Sequence, residues 1–142
     1  MTANPETIVR TFLSTLHAEG QPDFDAIAGM FTDDGYYFPL VPARPPIVGP
    51  AAVAAELDRQ FMLYRDCRCD LMHIAVTGSV VLTERRDRVT MLANELTGFP
   101  HEFDVVVSVC GVFETRDGRI SGWRDYWDPA DIASQVAAGS GK

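Results

Sequence analysis

A seven-residue stretch near the C-terminus, "GWRDYWD" (residues 122–128), crowds large aromatic side chains against ionisable ones. Side chains alternate between the two faces of a β-strand. If the stretch is a strand, Trp123, Asp125 and Trp127 share one face, and Arg124 and Tyr126 share the other. This pattern predicts a carboxylate flanked by two indoles, which is either a surface feature or a group held in an apolar cavity.

A second stretch, "VLTERRDRVTML" (residues 81–92), holds charged residues in the same alternating spacing. Arg85, Asp87 and Val89 would point to one side of a strand, together with Thr83 and Met91. If the valine side faces the interior, an arginine and an aspartate are buried side by side. Buried charges persist only when they are paired and hydrogen-bonded, and this spacing supplies such a pair.

Together the two stretches suggest acid–base chemistry. If Asp125 also faces inward, Arg85 can bridge it to Asp87. Two carboxylates that share one cation in an apolar pocket do not readily both ionise, so one acts as a general acid and the other as a general base. Such a pair suits a reaction that donates and removes protons at once on a small neutral substrate. A structural ion-pair network is the alternative interpretation.

Composition restricts the possible partners. The 142 residues are the length of one domain, here residues 1–142. A net charge of -8 argues against nucleic acid or an anionic membrane as a partner. No signal segment or membrane-length apolar run is visible, so we expect a cytoplasmic protein. The three cysteines lack zinc-ligand spacing and the three histidines are scattered, so we expect no metal and no cofactor.

Helical patterns precede strand patterns along the chain. Asn4 is a plausible N-cap for a first helix that ends at Gly20, and "RDGR" at residues 116–119 predicts a hairpin turn. This order indicates an α+β domain whose helices pack on a curved, mainly antiparallel sheet around a pocket. The predicted helices cover residues 4–20, 23–31, 49–66 and 128–138, and the predicted strands begin at residue 35 and then cover 69–78, 79–92, 101–118 and 119–128.

Apolar residues on these strands are candidates for the wall of the pocket, although core packing explains each equally well. They are Val89, Trp127, Leu82, Met91, Val107, Val109 and Trp123.

The segments "HIAVTGSVVLTERRD" and "GVFETRDGRISGWRDYWD" resemble the limonene-1,2-epoxide hydrolase family. That family belongs to the cone-shaped superfamily of nuclear transport factor 2, ketosteroid isomerase and the SnoaL-type cyclases. The resemblance implies a homodimer that opens a small apolar epoxide to a diol with water. It also implies that Arg85 of "ERxD" holds both carboxylates, Asp87 is the general acid and Asp125 of "GWRDY" is the general base.

One part of the family pattern is missing. The family positions its water with a tyrosine and an asparagine two residues later, and alignment from "FTDD" places Tyr37 and Pro39 there. A slip of one residue offers Tyr36 and Phe38 instead, and neither register contains an asparagine. This departure leaves open an epoxide-opening cyclase, in which a hydroxyl of the substrate attacks. A ketosteroid-isomerase-type enzyme and a non-catalytic binding or dimerisation module are the further alternatives.

Overall fold

A computed structural model describes residues 4–141. It contains four helices, α1 (Pro5–Leu16), α2 (Phe24–Gly29), α3 (Pro50–Gln60) and α4 (Pro129–Gly139). Its strands are β1 (Phe31–Phe38), β2 (Ile47–Val48), β3 (Tyr64–Thr77), β4 (Val80–Met91), β5 (Phe103–Arg116) and β6 (Arg119–Trp127). The predicted α+β class is confirmed.

The six strands form one open sheet in the order β2-β1-β6-β5-β4-β3. Every neighbouring pair is antiparallel except β1 and β6, which run parallel with Tyr37 beside Trp123. The sheet is therefore mainly antiparallel, as predicted, but the parallel pairing was not anticipated. It brings a strand from the first third of the chain next to the "GWRDYWD" segment.

The first helix forms because its cap and its apolar spacing agree. The side chain of Asn4 accepts a hydrogen bond from the amide of Thr7 at 2.8 Å, and Pro5 occupies the first helical position. The buried face carries Val9, Phe12, Leu13 and Leu16. The helix ends at Leu16, four residues before the predicted end at Gly20, because His17 and the residues after it leave the helical conformation.

Two other predicted boundaries are wrong. Strand β1 begins at Phe31, which had been assigned to the second helix, and not at Gly35. Helix α3 ends at Gln60, six residues before the predicted end at residue 66. Tyr64 instead opens strand β3 and packs edge-on against Phe61, with the ring centroids 4.8 Å apart.

The hairpin between β5 and β6 follows the predicted "RDGR" turn. Asp117 and Gly118 both adopt positive φ angles, 54° and 77°, as a tight two-residue hairpin turn requires. Next to the turn Thr115 pairs with Ile120, but the register then shifts by one residue, so that Glu114 pairs with Gly122 and Gly111 with Asp125. This irregularity, together with the turn, sets which residues of β6 face inward.

Helices α1 and α3 cover one face of the sheet, and the main core lies between them and the strands. A second core cluster, around Phe61, Val89 and Val105, extends toward α4. Within residues 4–141, no helix has the length and apolar character needed to cross a membrane.

Candidate active site

A cavity of about 310 Å³ opens between the covered face of the sheet and the helices. Most of its wall is apolar, and Asp87 and Asp125 supply its two carboxylates. Six of the seven predicted wall residues line it, namely Val89, Met91, Val107, Val109, Trp123 and Trp127. The volume lies at the lower end of the range of small-molecule pockets, so the cavity admits a compact ligand.

Leu82 is the exception, and its predicted place in the wall is wrong. The side chain is 45% exposed, on the outer face of β4. The reason is the alternation itself, because Thr83 and Arg85 point inward and the residue before Thr83 must point outward.

Three adjacent strands bring the charged residues together. Thr83 on β4 lies opposite Gly111 on β5, which in turn lies opposite Asp125 on β6. Arg85 and Asp87 follow Thr83 on the same face of β4. Residues that are about 40 positions apart in the chain therefore meet across a single intervening strand.

The guanidinium of Arg85 contacts both carboxylates. Its Nε and Nη2 donate to the two oxygens of Asp87 at 3.2 and 3.0 Å, and Nη2 also lies 3.2 Å from each oxygen of Asp125. Nη1 donates to Thr83 Oγ1 at 3.1 Å, and that hydroxyl donates to the carbonyl of Gly111. Arg85 is 1% exposed, so this cation is held entirely by protein groups.

Gly111 makes room for this arrangement. A Cβ atom at this position would lie 2.8 Å from Asp125 Oδ1 and 3.0 Å from Thr83 Oγ1, and it would clash with Arg85 Nη1. A glycine inside a strand often marks such a close approach. The backbone of β5 thus serves as the surface over which Arg85 reaches Asp125.

Asp125 is buried and accepts hydrogen bonds from neighbouring side chains. Besides Arg85, the indole N–H of Trp123 donates to Oδ1 at 2.8 Å. Burial raises the pKa of Asp125 to about 6, although the charge of Arg85 and the bond from Trp123 oppose that rise, while the charge of Asp87 adds to it. A carboxylate with this pKa is ionised at neutral pH and is a stronger base than an exposed aspartate.

The charges at the site do not balance when both acids are ionised. One guanidinium against two carboxylates leaves a net charge of -1 in a largely apolar cavity. A single proton on the pair makes the group neutral, which favours one protonated and one ionised carboxyl. The arrangement can therefore donate a proton and accept another at the same time.

The two consecutive tyrosines lie on opposite faces of β1. Tyr37 is buried, lines the cavity and stacks on Trp123 with 3.9 Å between ring centroids. Tyr36 lies on the outer face, where its hydroxyl contacts Glu114 and Arg124. Pro39 also lines the cavity, and its carbonyl accepts a hydrogen bond from Trp127 Nε1 at 2.8 Å. Tyr37, and not Tyr36, is thus the tyrosine of the site.

Three site residues were not singled out in the sequence. Thr83 was placed on the inward face without a role, and the glycine of "SVCGVF" was a detectable signal because glycine is unfavourable inside a strand. Gln60 gave no signal, since a glutamine near the end of a helix is ordinarily solvent-exposed. The structure places it in the wall of the cavity, in contact with Tyr37.

Comparison with known proteins identifies relatives across almost the whole chain. The limonene-1,2-epoxide hydrolase catalytic domain matches residues 3–138. Epoxide hydrolase EphG of Mycobacterium tuberculosis is 31% identical over 131 residues, which cover 92% of this chain and 78% of EphG.

Solved structures agree with this match. An epoxide hydrolase of the same type from M. tuberculosis superposes with a TM-score of 0.75 at 31% identity, covering 95% of this chain and 90% of that one. A SnoaL-like protein from Shewanella denitrificans OS-217 superposes with a TM-score of 0.81 at 13% identity, covering 94% and 97%. The second similarity shows the cone-shaped fold alone.

Proposed function

Because the chain belongs to the limonene-1,2-epoxide hydrolase family, we propose that it opens a small apolar epoxide to a diol in one step, by attack of water. One observation carries the proposal: the buried guanidinium of Arg85 contacts both Asp87 and Asp125 at the wall of an apolar cavity. The reaction needs an acid and a base that act together on a neutral substrate, and this pair supplies both.

Asp125 is the general base in this mechanism. Its oxygens accept hydrogen bonds from Trp123 and Arg85, which favour the ionised form, and its side chain lines the cavity. The carboxylate removes a proton from water while the water oxygen forms a bond to a ring carbon. An exposed aspartate is a weak base because its pKa is low, and burial raises the pKa of Asp125 and so makes it a stronger base.

Asp87 is the general acid. It is bound to Arg85 through both oxygens, and its side chain is 19% exposed, so it faces the cavity where the epoxide oxygen would lie. As the carbon–oxygen bond breaks, Asp87 transfers its proton to that oxygen. The product is a diol, and a proton exchange between the two carboxyls, or with solvent, restores the starting state.

Turnover of epoxides tests the proposal directly. We expect the protein to convert at least one of limonene-1,2-epoxide, cyclohexene oxide and styrene oxide to a diol. Asp87→Asn and Asp125→Asn should each lower the rate by roughly 100-fold or more, because each removes one proton transfer. Folded protein that leaves all three epoxides unchanged, or full activity in both variants, would contradict it.

A second candidate function follows from Pro39, which offers no side-chain donor to a water molecule. An epoxide-opening cyclase needs no such donor, because a hydroxyl of the substrate attacks in place of water. The two candidates differ in where the new oxygen comes from. Reaction in ¹⁸O-labelled water should place the label in the diol for a hydrolase, whereas a cyclase acting on a hydroxy-epoxide gives an unlabelled ring.

A further inference from the structure

The cavity contains a polar group that the acid–base mechanism does not use. Gln60, the last residue of α3, lines the wall together with Tyr37 and Tyr64. Its side chain lies in a chain of hydrogen bonds that begins at Glu56, one turn earlier on the same helix. This network bears on the step for which the chain lacks the family's asparagine.

The contacts of Gln60 determine which way its amide points. Nε2 lies 3.0 Å from Glu56 Oε2 and 3.3 Å from Tyr37 Oη, and Oε1 accepts from the hydroxyl of Tyr64 at 2.9 Å. An ionised carboxylate only accepts, so the nitrogen must face Glu56. Burial opposes ionisation of Glu56, but hydrogen bonds from Arg59 and Gln60 outweigh it and lower the pKa of that carboxyl. Gln60 therefore donates to Tyr37.

This donation leaves Tyr37 with a proton to give. Its oxygen accepts from Gln60, and within residues 4–141 the hydroxyl has no further hydrogen-bond partner. Burial raises the pKa of Tyr37 well above its usual value, so the group stays neutral and remains a donor. The Tyr37 ring stacks on Trp123, and the indole of Trp123 holds Asp125. The donor, Tyr37, and the base, Asp125, therefore both contact Trp123.

We propose that Gln60 is a positioning residue for the attacking water. It fixes the Tyr37 hydroxyl so that the tyrosine donates to the water oxygen while Asp125 accepts a proton from the same water. Both donor hydrogens of Gln60 are already used, on Glu56 and Tyr37, so it acts through the tyrosine and does not touch the water. This role, which rests on the proposed function, supplies from α3 an amide that the family pattern supplies from the position of Pro39.

A competition between two nucleophiles tests this role. With sodium azide present, azide can attack the ring carbon without a base, while the ring carbon–oxygen bond breaks and Asp87 protonates the released oxygen. The ratio of diol to azido alcohol then reports how well water is positioned. A purely structural defect lowers both products together and leaves this ratio unchanged.

The variants are Gln60→Met, which removes the amide, and Gln60→Glu, which keeps its shape but replaces the donor with an acceptor. We expect each to lower kcat for the diol at least about tenfold, because small displacements of a reacting group are costly, with KM changed less than about threefold. The ratio of diol to azido alcohol should fall by a similar factor. Circular dichroism verifies folding, and either variant that folds suffices.

Gln135→Met is the matched control. Gln135 also uses both ends of its amide, but it binds the backbone amide and carbonyl of Val106 from α4. We expect this variant to keep the wild-type ratio. A wild-type ratio in folded Gln60 variants would overturn the role of Gln60 alone, whereas wild-type protein that forms no diol would overturn the proposed function.

Discussion

Opposite faces of the sheet carry two clusters of charged residues in different environments. The inner cluster is Arg85 with Asp87 and Asp125; the outer cluster is Arg124 with Glu114 and the hydroxyl of Tyr36. Arg85 is 1% exposed, whereas the side chains of Arg124 and Glu114 are 27% and 41% exposed. Water can compensate the charges of the outer cluster, whereas protein groups compensate most of the charge of the inner cluster, so protonation there depends on the protein geometry.

The two clusters differ in exposure and in the number of carboxylates. Each cluster has an arginine, an acid and a nearby tyrosine, and the two tyrosines are consecutive in β1. Alternation along the strand sends Tyr36 to solvent and Tyr37 to the cavity. A second carboxylate and the loss of water then turn an ordinary pairing into an acid–base pair.

The largest expected difference between the clusters is the loss of stability when the arginine of each is replaced. Arg85→Gln leaves two carboxylates in the cavity without their cation, and we expect it to lower the free energy of unfolding by about 3–5 kcal/mol at pH 7.5. Arg124→Gln should cost about 1 kcal/mol or less, because its partner is partly hydrated. Urea unfolding of the two variants measures the difference.

Repeating the unfolding measurements on both variants at pH 5 tests whether charge causes the difference. At pH 5 the cost of Arg85→Gln should shrink, since protonation of the buried carboxylates removes the uncompensated charge, while the cost of Arg124→Gln should change much less. Equal costs for the two variants at pH 7.5 would show that burial does not distinguish the clusters.

Each face of the sheet also has a glycine at which a Cβ atom would clash with a side chain of the cluster. Replacing each glycine by alanine gives a second comparison of the two clusters. A Cβ at Gly111 would press on the inner cluster, and a Cβ at Gly122 would lie 2.5 Å from the ring of Tyr36. We expect Gly111→Ala to lower kcat/KM by about 100-fold through displacement of Arg85. Gly122→Ala should destabilise the protein by about 1–3 kcal/mol through overpacking and leave kcat/KM within about threefold.

Steady-state kinetics on folded protein, with melting temperatures for both variants, separates these effects. If Gly122→Ala lowers kcat/KM as much as Gly111→Ala does, general distortion of the sheet, and not contact with Arg85, accounts for the loss.

Local patterns in the sequence were enough to predict the inward face. The period of two in β4 and β6 placed Arg85, Asp87 and Asp125 on one side, and the "RDGR" turn predicted that β5 and β6 form a hairpin, although not the one-residue shift in their register. Both signals act over a few residues, which is why they can be read without knowing the fold. Asn4 as the cap of α1 belongs to the same class of local signal.

Features that depend on distant partners could not be predicted in this way. Nothing local to β1 indicates that it pairs in parallel with β6, yet that pairing stacks Tyr37 on Trp123. The role of Gly111 depends on a guanidinium from the neighbouring strand, and the position of Gln60 depends on how α3 packs over the cavity. Leu82 was misplaced for a simpler reason, because its apolar character outweighed the strand alternation that places it outside.

The pH dependence of activity should show a smaller contrast between the clusters. Because the pKa of Asp125 is raised to about 6, the base becomes protonated as the pH falls through that value. We expect kcat/KM, which reports the free enzyme, to fall about tenfold per pH unit below pH 6. Arg124→Gln should leave this profile unchanged, because the outer cluster does not contact Asp125.

The stability of the fold should depend on pH in the opposite direction to kcat/KM. A carboxyl whose pKa is higher in the folded protein than its ordinary value of 3.8 stabilises the fold most at low pH, and this contribution is lost as the pH rises through about 6. The charge on Asp125 therefore costs about 3 kcal/mol of stability at neutral pH, from a rise of about two pKa units. If Asp125 is the base of the proposed reaction, this unfavourable charge is a cost in stability that the reaction requires.

The variant Trp123→Phe tests whether ionisation of Asp125 sets the pH profile of kcat/KM. The indole N–H favours the ionised form of Asp125, so its removal should raise the pKa further and move the acidic limb of the kcat/KM profile to higher pH. The phenylalanine ring retains an aromatic surface for Tyr37, which limits other changes. A limb that stays at the wild-type pH in folded Trp123→Phe, or a wild-type profile that is flat down to pH 5, would show that Asp125 is not the group whose ionisation controls the reaction.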